Sequence, residues 1–235
     1  MTSILTATTK KLLTEDTGKI LEMAVCLTYG ISYDGTYKYG LEEPTALKPR
    51  LSTLPSLFPL CVHSAKRGAR YDFTACTASR YLSVKSTKGN TMVAPQCVGQ
   101  AQPTAFCERM GIPVMTVPIL KAYIQENIKA LLPVFLNYTI SENCDILYYN
   151  KKTSAIKFIR LVTPINWTPY TFTWSCTADK WNNSAKLKVA PADGGKPINL
   201  LEVQFHTKSR TNMAVRWCFE ALLALVPTAF SITTL

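Results

Sequence analysis

The chain has 235 residues, of which 47% are hydrophobic and 17% charged, a composition typical of a globular protein with one sizeable core. No apolar run reaches the length of a membrane span, and the N terminus lacks the basic region and apolar stretch of a signal peptide. The formal net charge of +11 suits a polyanionic partner, although solubility or an anionic membrane surface would explain the same value.

The basic excess is concentrated towards the C terminus, where residues 151–235 hold 11 Lys and Arg against 4 Asp and Glu. Eight cysteines are spread without a Cys-x-x-Cys pair, and the chain has only two histidines, which argues against a zinc site. We therefore expect buried or half-buried free thiols in a reducing, intracellular (cytoplasmic) compartment. These features do not distinguish a bacterial from a viral source.

The first predicted helix spans residues 14–30. It begins at a capping sequence, Thr14–Thr17, and continues with apolar residues at helical spacing. Four prolines between residues 41 and 60 then predict a connecting segment with a short helical turn at most. The clearest helix is predicted over residues 118–132, where apolar side chains form one stripe.

Two short strands are predicted between these helices, Arg70–Ala75 and Tyr81–Ser86, joined as a hairpin. The first contains Asp72 and the second contains Lys85, which faces the same side as Ser83 because side chains alternate along a strand. A carboxylate can hold Mg²⁺, and an ammonium can orient water or neutralise a phosphate oxygen. The hairpin therefore has the geometry that phosphodiester hydrolysis requires.

This arrangement resembles the PD-(D/E)xK nuclease superfamily, whose core is a helix, an Asp-bearing strand, a strand ending in (Glu/Asp)-x-Lys and a following helix. Asp72 corresponds to the metal-binding Asp and Lys85 to the catalytic Lys, but Ser83 stands where the second acid is expected. Some restriction endonucleases of this superfamily read Ser-x-Lys and recruit an acid from a neighbouring helix. The resemblance implies that Glu22, on the first predicted helix, supplies the missing metal ligand.

The resemblance extends over about residues 15–105. The segment Met92–Gln100 resembles the one that follows the lysine in several type II restriction endonucleases. Gln100, or alternatively Gln96, would then lie on a helix beside the site and join the catalytic residues.

The predicted fold class is α/β, with a mixed central β-sheet flanked by helices as in the restriction-endonuclease core. Residues 1–235 are expected to form a single nuclease domain. Its core would span about 15–132, and a basic, β-rich part at about 144–235 would extend the sheet and recognise DNA.

Strand-like runs separated by turn residues fill most of the C-terminal part. They lie at residues 145–149, 155–162, 170–176, 186–189 and 199–206. A helix is predicted to close the chain over residues 212–225.

Three cations, Lys66, Arg67 and Arg70, immediately precede Asp72. A phosphate backbone beside a metal requires such charge, but a solvated loop would carry it equally well. These residues are predicted to bind DNA, with the solvated loop as the alternative.

A second group of candidate DNA contacts lies near the C terminus. Residues 201–206 alternate apolar and polar side chains, so that the polar ones share one face of a strand. The candidates are Gln204 and His206 on the same face as Glu202, then Arg210, and Arg216 on the predicted last helix. Because Gln can pair with an adenine edge and Arg with a guanine edge, the face is predicted to read bases. The alternative is a solvent-exposed face that only braces the sheet.

The resemblance implies a Mg²⁺-dependent type II restriction endonuclease that cleaves double-stranded DNA at a short specific sequence, and that acts as a homodimer so that a two-fold protein meets a two-fold site. No membrane association is expected. One alternative is a structure-selective or nonspecific nuclease of the same fold. Another is a basic DNA-binding or packaging protein that does not cleave, which the absent second acid favours.

Overall fold

The computed structural model describes residues 14–65, 69–89, 92–93, 101–190, 195–206 and 211–235. The α-helices span Thr14–Tyr29 (α1), Glu42–Leu47 (α2), Leu54–Leu57 (α3), Pro103–Met110 (α4), Val117–Glu126 (α5), Ile128–Thr139 (α6) and Phe219–Leu225 (α7). The strands span Cys61–His63 (β1), Phe73–Ala75 (β2), Tyr81–Thr87 (β3), Met92–Val93 (β4), Cys144–Asn150 (β5), Ala155–Leu161 (β6), Thr171–Trp174 (β7), Ser184–Ala190 (β8), Ile198–His206 (β9), Asn212–Cys218 (β10) and Phe230–Thr234 (β11). Short 3₁₀ turns lie at Lys48–Leu51 and Pro227–Ala229.

The first sheet has the order β1-β2-β3-β5-β6-β11 within the described residues. It is mixed, because β3 and β5 run parallel whereas the other neighbouring strands pair antiparallel. Helices pack against this sheet, so the predicted α/β fold with a mixed central sheet is confirmed. The predicted hairpin around the acid and the lysine is also confirmed as β2 and β3, paired through Phe73 and Leu82.

The two faces of β3 have different surroundings. Leu82 and Val84 pack in a buried cluster with Leu21 and Val25 of α1. Because side chains alternate along the strand, Ser83 and Lys85 lie on the opposite face. The first sheet therefore carries α1 on one face and the serine and lysine of the motif on the other.

The second sheet has the order β4-β10-β9-β8-β7 in the described part of the chain and is antiparallel. Its inner side chains, such as Val203 and Trp217, share one core with Tyr148 of the first sheet and with α6. Its other face carries polar residues that alternate with the buried ones. The strands after residue 144 thus divide between the two sheets.

The predicted helix over residues 118–132 is in fact two helices, α5 and α6, separated at Asn127. The Asn127 side-chain Nδ2 donates to the carbonyl of Tyr123 at 2.9 Å. The backbone N–H of Asn127 donates to the same carbonyl at 2.9 Å, so both nitrogen atoms of the residue that ends α5 bond to one oxygen. Helix α6 then continues to Thr139, beyond the predicted end.

The prediction of a helix over residues 212–225 is wrong for its first half. Asn212–Cys218 is strand β10, which pairs with β9 from Asn212 opposite His206 to Trp217 opposite Leu201. Met213, Val215 and Trp217 alternate into the core, a period of two that a helix cannot present to one face. Only the remainder is helical, as α7.

Strand β11 follows α7 and was not predicted. It pairs antiparallel with β6 at an edge of the first sheet, with Ile232 opposite Ile159. The five strands predicted between residues 145 and 206 are confirmed as β5 to β9.

Over the described ranges, no helix has both the length and the apolar character needed to cross a membrane. The cysteines that the structure describes are free thiols, and most of them are buried or half-buried.

Candidate active site

The hairpin brings the predicted acid and ammonium into contact. Asp72 directly precedes β2, and its Oδ2 accepts a hydrogen bond from the backbone N–H of Val84 at 2.7 Å. The Nζ of Lys85 lies 3.7 Å from the same Oδ2 and donates to the Val84 carbonyl at 3.1 Å. Both side chains are buried, with residue exposures of 4% for Asp72 and 7% for Lys85. The ammonium therefore contacts a carboxylate and a carbonyl oxygen at once.

The surroundings of Asp72 determine its charge. Burial raises the pKa of this carboxyl, and the positive charge of Lys85 and the Val84 N–H offset part of that effect. The negative charge of Glu22 raises the pKa further, which means that the two acids interact electrostatically. Lys85 is the nearby cation that makes an ionised Asp72 tolerable in this interior position.

Ser83, which replaces the expected second acid, is fully buried. Its Oγ accepts a hydrogen bond from the Sγ of Cys144 at 3.8 Å. Burial raises the pKa of the Cys144 thiol to about 11, so the thiol keeps the proton that it donates. Cys144 is 61 residues from Ser83 in the chain, and no sequence pattern predicts that the two side chains meet. The serine is thus linked to strand β5 through a neutral contact.

Glu22 projects from α1 into a polar cluster on the face of the first sheet that α1 covers. Its Oε2 lies 3.1 Å from the Nε2 of His63, and the Nζ of Lys19 lies 3.0 Å from Oε1 and 2.9 Å from Oε2. The hydroxyl of Tyr33 donates to Oε2 at 3.4 Å. Burial acts to raise the pKa of Glu22, but His63 and Lys19 outweigh it, and the net pKa is lowered. Glu22 is therefore held as a carboxylate.

The donors around the motif suit a hard cation in their chemistry. The oxygens of Asp72 and of the Val84 carbonyl already contact one cation, the Lys85 ammonium, and oxygen donors of this type are those that Mg²⁺ prefers. Glu22 is a second ionised carboxylate, and it forms an ion pair with the ammonium of Lys19. Among the described side chains, no group of three or more His, Cys, Asp or Glu could hold a metal ion.

Sequence reasoning missed the residues that surround Glu22. His63, Lys19 and Tyr33 carry no motif in the sequence that links them to Glu22. No local pattern relates positions 22, 33 and 63. They meet because β1 pairs with β2, placing His63 opposite Phe73, and because α1 packs on that side of the sheet.

Arg70 is engaged by α6. Its guanidinium carbon lies 4.4 Å from the ring centre of Tyr138 and 5.2 Å from that of Tyr71, and one of its nitrogens donates to the carbonyl of Asn137 at 3.1 Å. The two rings and the carbonyl fix its position next to the acid of the motif. The other predicted members of this cluster, Lys66 and Arg67, lie outside the described residues, as do Gln96, Gln100 and Arg210.

The outer face of the second sheet brings together the remaining predicted DNA contacts. We call this surface the recognition face and define it by Lys186, Glu202, Gln204, His206 and Arg216. The Glu202 carboxylate is its centre: Oε2 accepts from the Gln204 amide at 3.0 Å and lies 3.6 Å from an Arg216 nitrogen. Arg216 stands directly opposite Glu202 on β10, not on a helix as predicted. His206 is exposed at the end of β9.

A third buried acid, Asp145 on β5, is only 1% exposed and stands beside Leu82 in the sheet. Arg80 forms an ion pair with it, and the Nε of Arg160 donates to its Oδ1 at 3.2 Å. Arg160 also donates to the carbonyl of Leu57 at 3.2 Å. The two arginines make this acid a structural anchor, and through Arg160 it links β5 and β6 to the end of α3.

We expect Asp145→Asn to lower the free energy of unfolding by about 2–3 kcal/mol, because it leaves two arginines without their carboxylate. This cost is below that of a fully buried pair, since Arg80 and Arg160 are partly exposed. Urea unfolding measures it. An unchanged midpoint would contradict the anchoring role.

The sequence matches no protein-family model, and no solved structure matches the chain. Type II restriction enzyme CviAII of Paramecium bursaria Chlorella virus 1 is 37% identical to it over 228 residues. The match covers 95% of this chain and 64% of that enzyme, so the chain spans a little under two thirds of this relative's length. The similarity to this restriction enzyme therefore extends over almost the whole chain, including the Asp72–Lys85 hairpin and the two sheets.

Proposed function

We propose that the protein is a type II restriction endonuclease, which hydrolyses phosphodiester bonds of double-stranded DNA at a short specific sequence. The observation that carries this proposal is the 37% identity to a type II restriction enzyme over 95% of the chain. The contact between Asp72 and Lys85 supports it independently, because it pairs an oxygen donor for a metal with a cation for a phosphate.

We further propose that the core belongs to the PD-(D/E)xK superfamily in a Ser-x-Lys form. Helix α1, the acid before β2 and the lysine on β3 occur in the order of that core. Ser83 replaces the second acid, and the ionised carboxylate of Glu22 is the replacement that we assign.

The reaction would require Mg²⁺, with Asp72 and Glu22 as its protein ligands. When bound, such a cation lowers the pKa of water and neutralises charge on a phosphate. Lys85 would turn its ammonium from the Val84 carbonyl to the phosphate, where it stabilises the charge that develops as water attacks phosphorus. As the water oxygen bonds to phosphorus it releases a proton to solvent, the bond from phosphorus to the leaving oxygen breaks, and the leaving oxygen takes up a proton from solvent. Ser83 would form a hydrogen bond to a water molecule or to the phosphate.

DNA recognition would use two surfaces. Arg70, together with Lys66 and Arg67, would contact the phosphate backbone, and the recognition face would contact base edges with Gln204, His206, Arg210 and Arg216. We propose a homodimer, because a two-fold assembly matches a palindromic site, and an intracellular location, where double-stranded DNA is the substrate.

Incubation of plasmid DNA with the protein, with and without Mg²⁺, tests the proposal. We expect discrete bands that require Mg²⁺. A smear would indicate nonspecific cleavage by a nuclease of the same fold, and a mobility shift without cleavage would indicate binding alone. Either of these outcomes contradicts a restriction endonuclease.

One observation favours binding without cleavage. The Ser83 hydroxyl is fully buried against Cys144, and each carboxylate of the site already contacts a lysine, so the site is electrostatically satisfied without a metal. A basic DNA-binding or packaging protein would have this arrangement, and the plasmid experiment separates it from the enzyme.

We expect Glu22→Gln to raise the Mg²⁺ concentration for half-maximal cleavage by about tenfold or more, because a neutral amide binds a divalent cation more weakly than a carboxylate does. The measurement is the cleavage rate across a Mg²⁺ titration. Glu43→Gln is the matched control, since Glu43 pairs with Lys151 at the surface. Equal Mg²⁺ dependence in the Glu22 variant and the wild type would place the second acid elsewhere.

A further inference from the structure

His63 is buried in β1 with both ring nitrogens engaged. Its Nδ1 lies 2.8 Å from the backbone nitrogen of Asp34, and its Nε2 lies 3.1 Å from Oε2 of Glu22. A backbone N–H can only donate, so Nδ1 is the unprotonated acceptor. The ring proton is therefore on Nε2, where it is donated to Glu22.

The imidazole has little freedom to leave this position. Its side chain is 1% exposed, the ring of Tyr33 stacks on it at 4.3 Å between centres, and Phe73 lies 5.0 Å away on the side of β2. With both nitrogens bonded and the ring enclosed, His63 is not available to exchange protons with DNA or water. The contact left to explain the role of His63 is therefore its hydrogen bond to Glu22.

The two oxygens of Glu22 are held differently. Oε2 accepts from His63 and Tyr33, both of which belong to the enclosed cluster, and it also contacts Lys19. Oε1 accepts a hydrogen bond from the Lys19 ammonium at 3.0 Å, and the Lys19 side chain is 34% exposed. An exposed ammonium can turn into solvent at low cost, whereas a buried ring cannot. Oε1 is thus the oxygen that can change partner.

We propose that His63 is a positioning residue, which fixes Oε2 of Glu22 so that Oε1 is presented to a divalent cation in place of Lys19. This proposal rests on the proposed function and extends it from Glu22, the metal ligand, to His63, the residue that holds Glu22 in position. Hydrogen-bonded supports of a metal-binding carboxylate typically contribute about 10–100-fold in metal affinity. The backbone of Asp34 also joins the unit, because it fixes which nitrogen of His63 carries the proton.

The first test reads the hydrogen bonds without any activity. Long-range ¹H–¹⁵N spectra of the ring distinguish a protonated from an unprotonated nitrogen, and the chain has only two histidines, so His206→Asn assigns the signals. We expect His63 to show a protonated Nε2 and an unprotonated Nδ1 in the folded protein at neutral pH. The opposite tautomer would overturn the proposal, whatever the enzyme does.

The second test reads metal affinity by calorimetric titration with Mg²⁺ and by the Mg²⁺ dependence of cleavage. We expect His63→Leu to weaken Mg²⁺ binding at least tenfold, and His63→Gln, which keeps an N–H donor, to weaken it less. The cleavage rate of both variants should approach that of the wild type at saturating Mg²⁺.

Tyr29→Phe is the matched structural control. It removes a different, partly buried hydrogen bond of α1, from the Tyr29 hydroxyl to the Phe58 carbonyl at 2.7 Å. This variant should have a lower thermal stability but the same Mg²⁺ midpoint as the wild type. An active wild type with equal Mg²⁺ affinity in the His63→Leu variant would overturn this proposal alone. A wild type that neither cleaves DNA nor binds Mg²⁺ would overturn both this proposal and the proposed function.

Discussion

Asp72→Asn and Lys85→Met are each expected to reduce the rate of DNA cleavage by about 100-fold or more, with little change in the affinity for DNA. Asparagine keeps the shape of Asp72 but removes the charge that would hold the cation, and methionine keeps the length of Lys85 but removes the charge that would stabilise the phosphate. Single-turnover cleavage and mobility-shift titration in parallel measure the two effects. Wild-type cleavage in either variant would refute the site assignment.

Stability must be separated from chemistry in this experiment, since Asp72 and Lys85 are a buried pair. Either single substitution leaves one group without its partner, which destabilises a buried site. The double variant Asp72→Asn with Lys85→Met removes both charges, so we expect it to be no less stable than Lys85→Met alone but equally inactive. Such non-additivity is characteristic of residues that act as one unit.

Asp145→Asn supplies the complementary control from the same sheet. It breaks a buried ion pair beside Leu82 but removes no group that faces the proposed phosphate. We expect a lower unfolding midpoint with retained cleavage. Loss of cleavage in this variant at a temperature where it remains folded would mean that the chemistry depends on the wider arginine network and not on the hairpin alone.

The sequence was sufficient for the parts of the site that are local in the chain. Asp72 and Lys85 are thirteen residues apart, and a hairpin with alternating side chains brings them together by itself. Glu22 could be assigned to α1 from helical spacing, but its contact with His63 joins positions 41 residues apart. Such a contact depends on how α1 packs on the sheet, which no periodicity in one segment specifies.

The error at β10 has a related cause. Asn212–Cys218 is apolar enough to suit either a helix or a buried strand, and the neighbouring α7 supplies a true helical signal. Whether a short apolar run folds as a helix or as a strand depends on the elements that it packs against. Here β9 offers six paired positions, and the strand wins over local propensity. As a result, the strand places Arg216 opposite Glu202, on the same face of the second sheet as Gln204.

The arrangement around Glu202 leads to a prediction about sequence specificity. Gln204 and Arg216 both point donors at one carboxylate that is only 8% exposed as a residue, so their side chains are held in place before DNA arrives. A held donor loses less conformational entropy on binding than a free one and discriminates better between base edges. Preorganised side chains of this kind suit base reading more than nonspecific contact with phosphates.

We therefore expect Gln204→Ala and Arg216→Ala each to cost about 1–3 kcal/mol of discrimination at particular base pairs, measured as cleavage rates on a set of substrates with single-base changes. The rate on the most permissive substrate should stay close to that of the wild type. Glu202→Gln should relax the same positions, because it weakens the support of both donors while it leaves them in place.

Lys48→Ala, in the 3₁₀ turn after α2, removes a surface charge far along the chain from this face and should leave the ranking of substrates unchanged. If the recognition face only braces the sheet, the three substitutions would instead lower the unfolding temperature with the order of substrates preserved, and base reading would then have to be assigned to another surface.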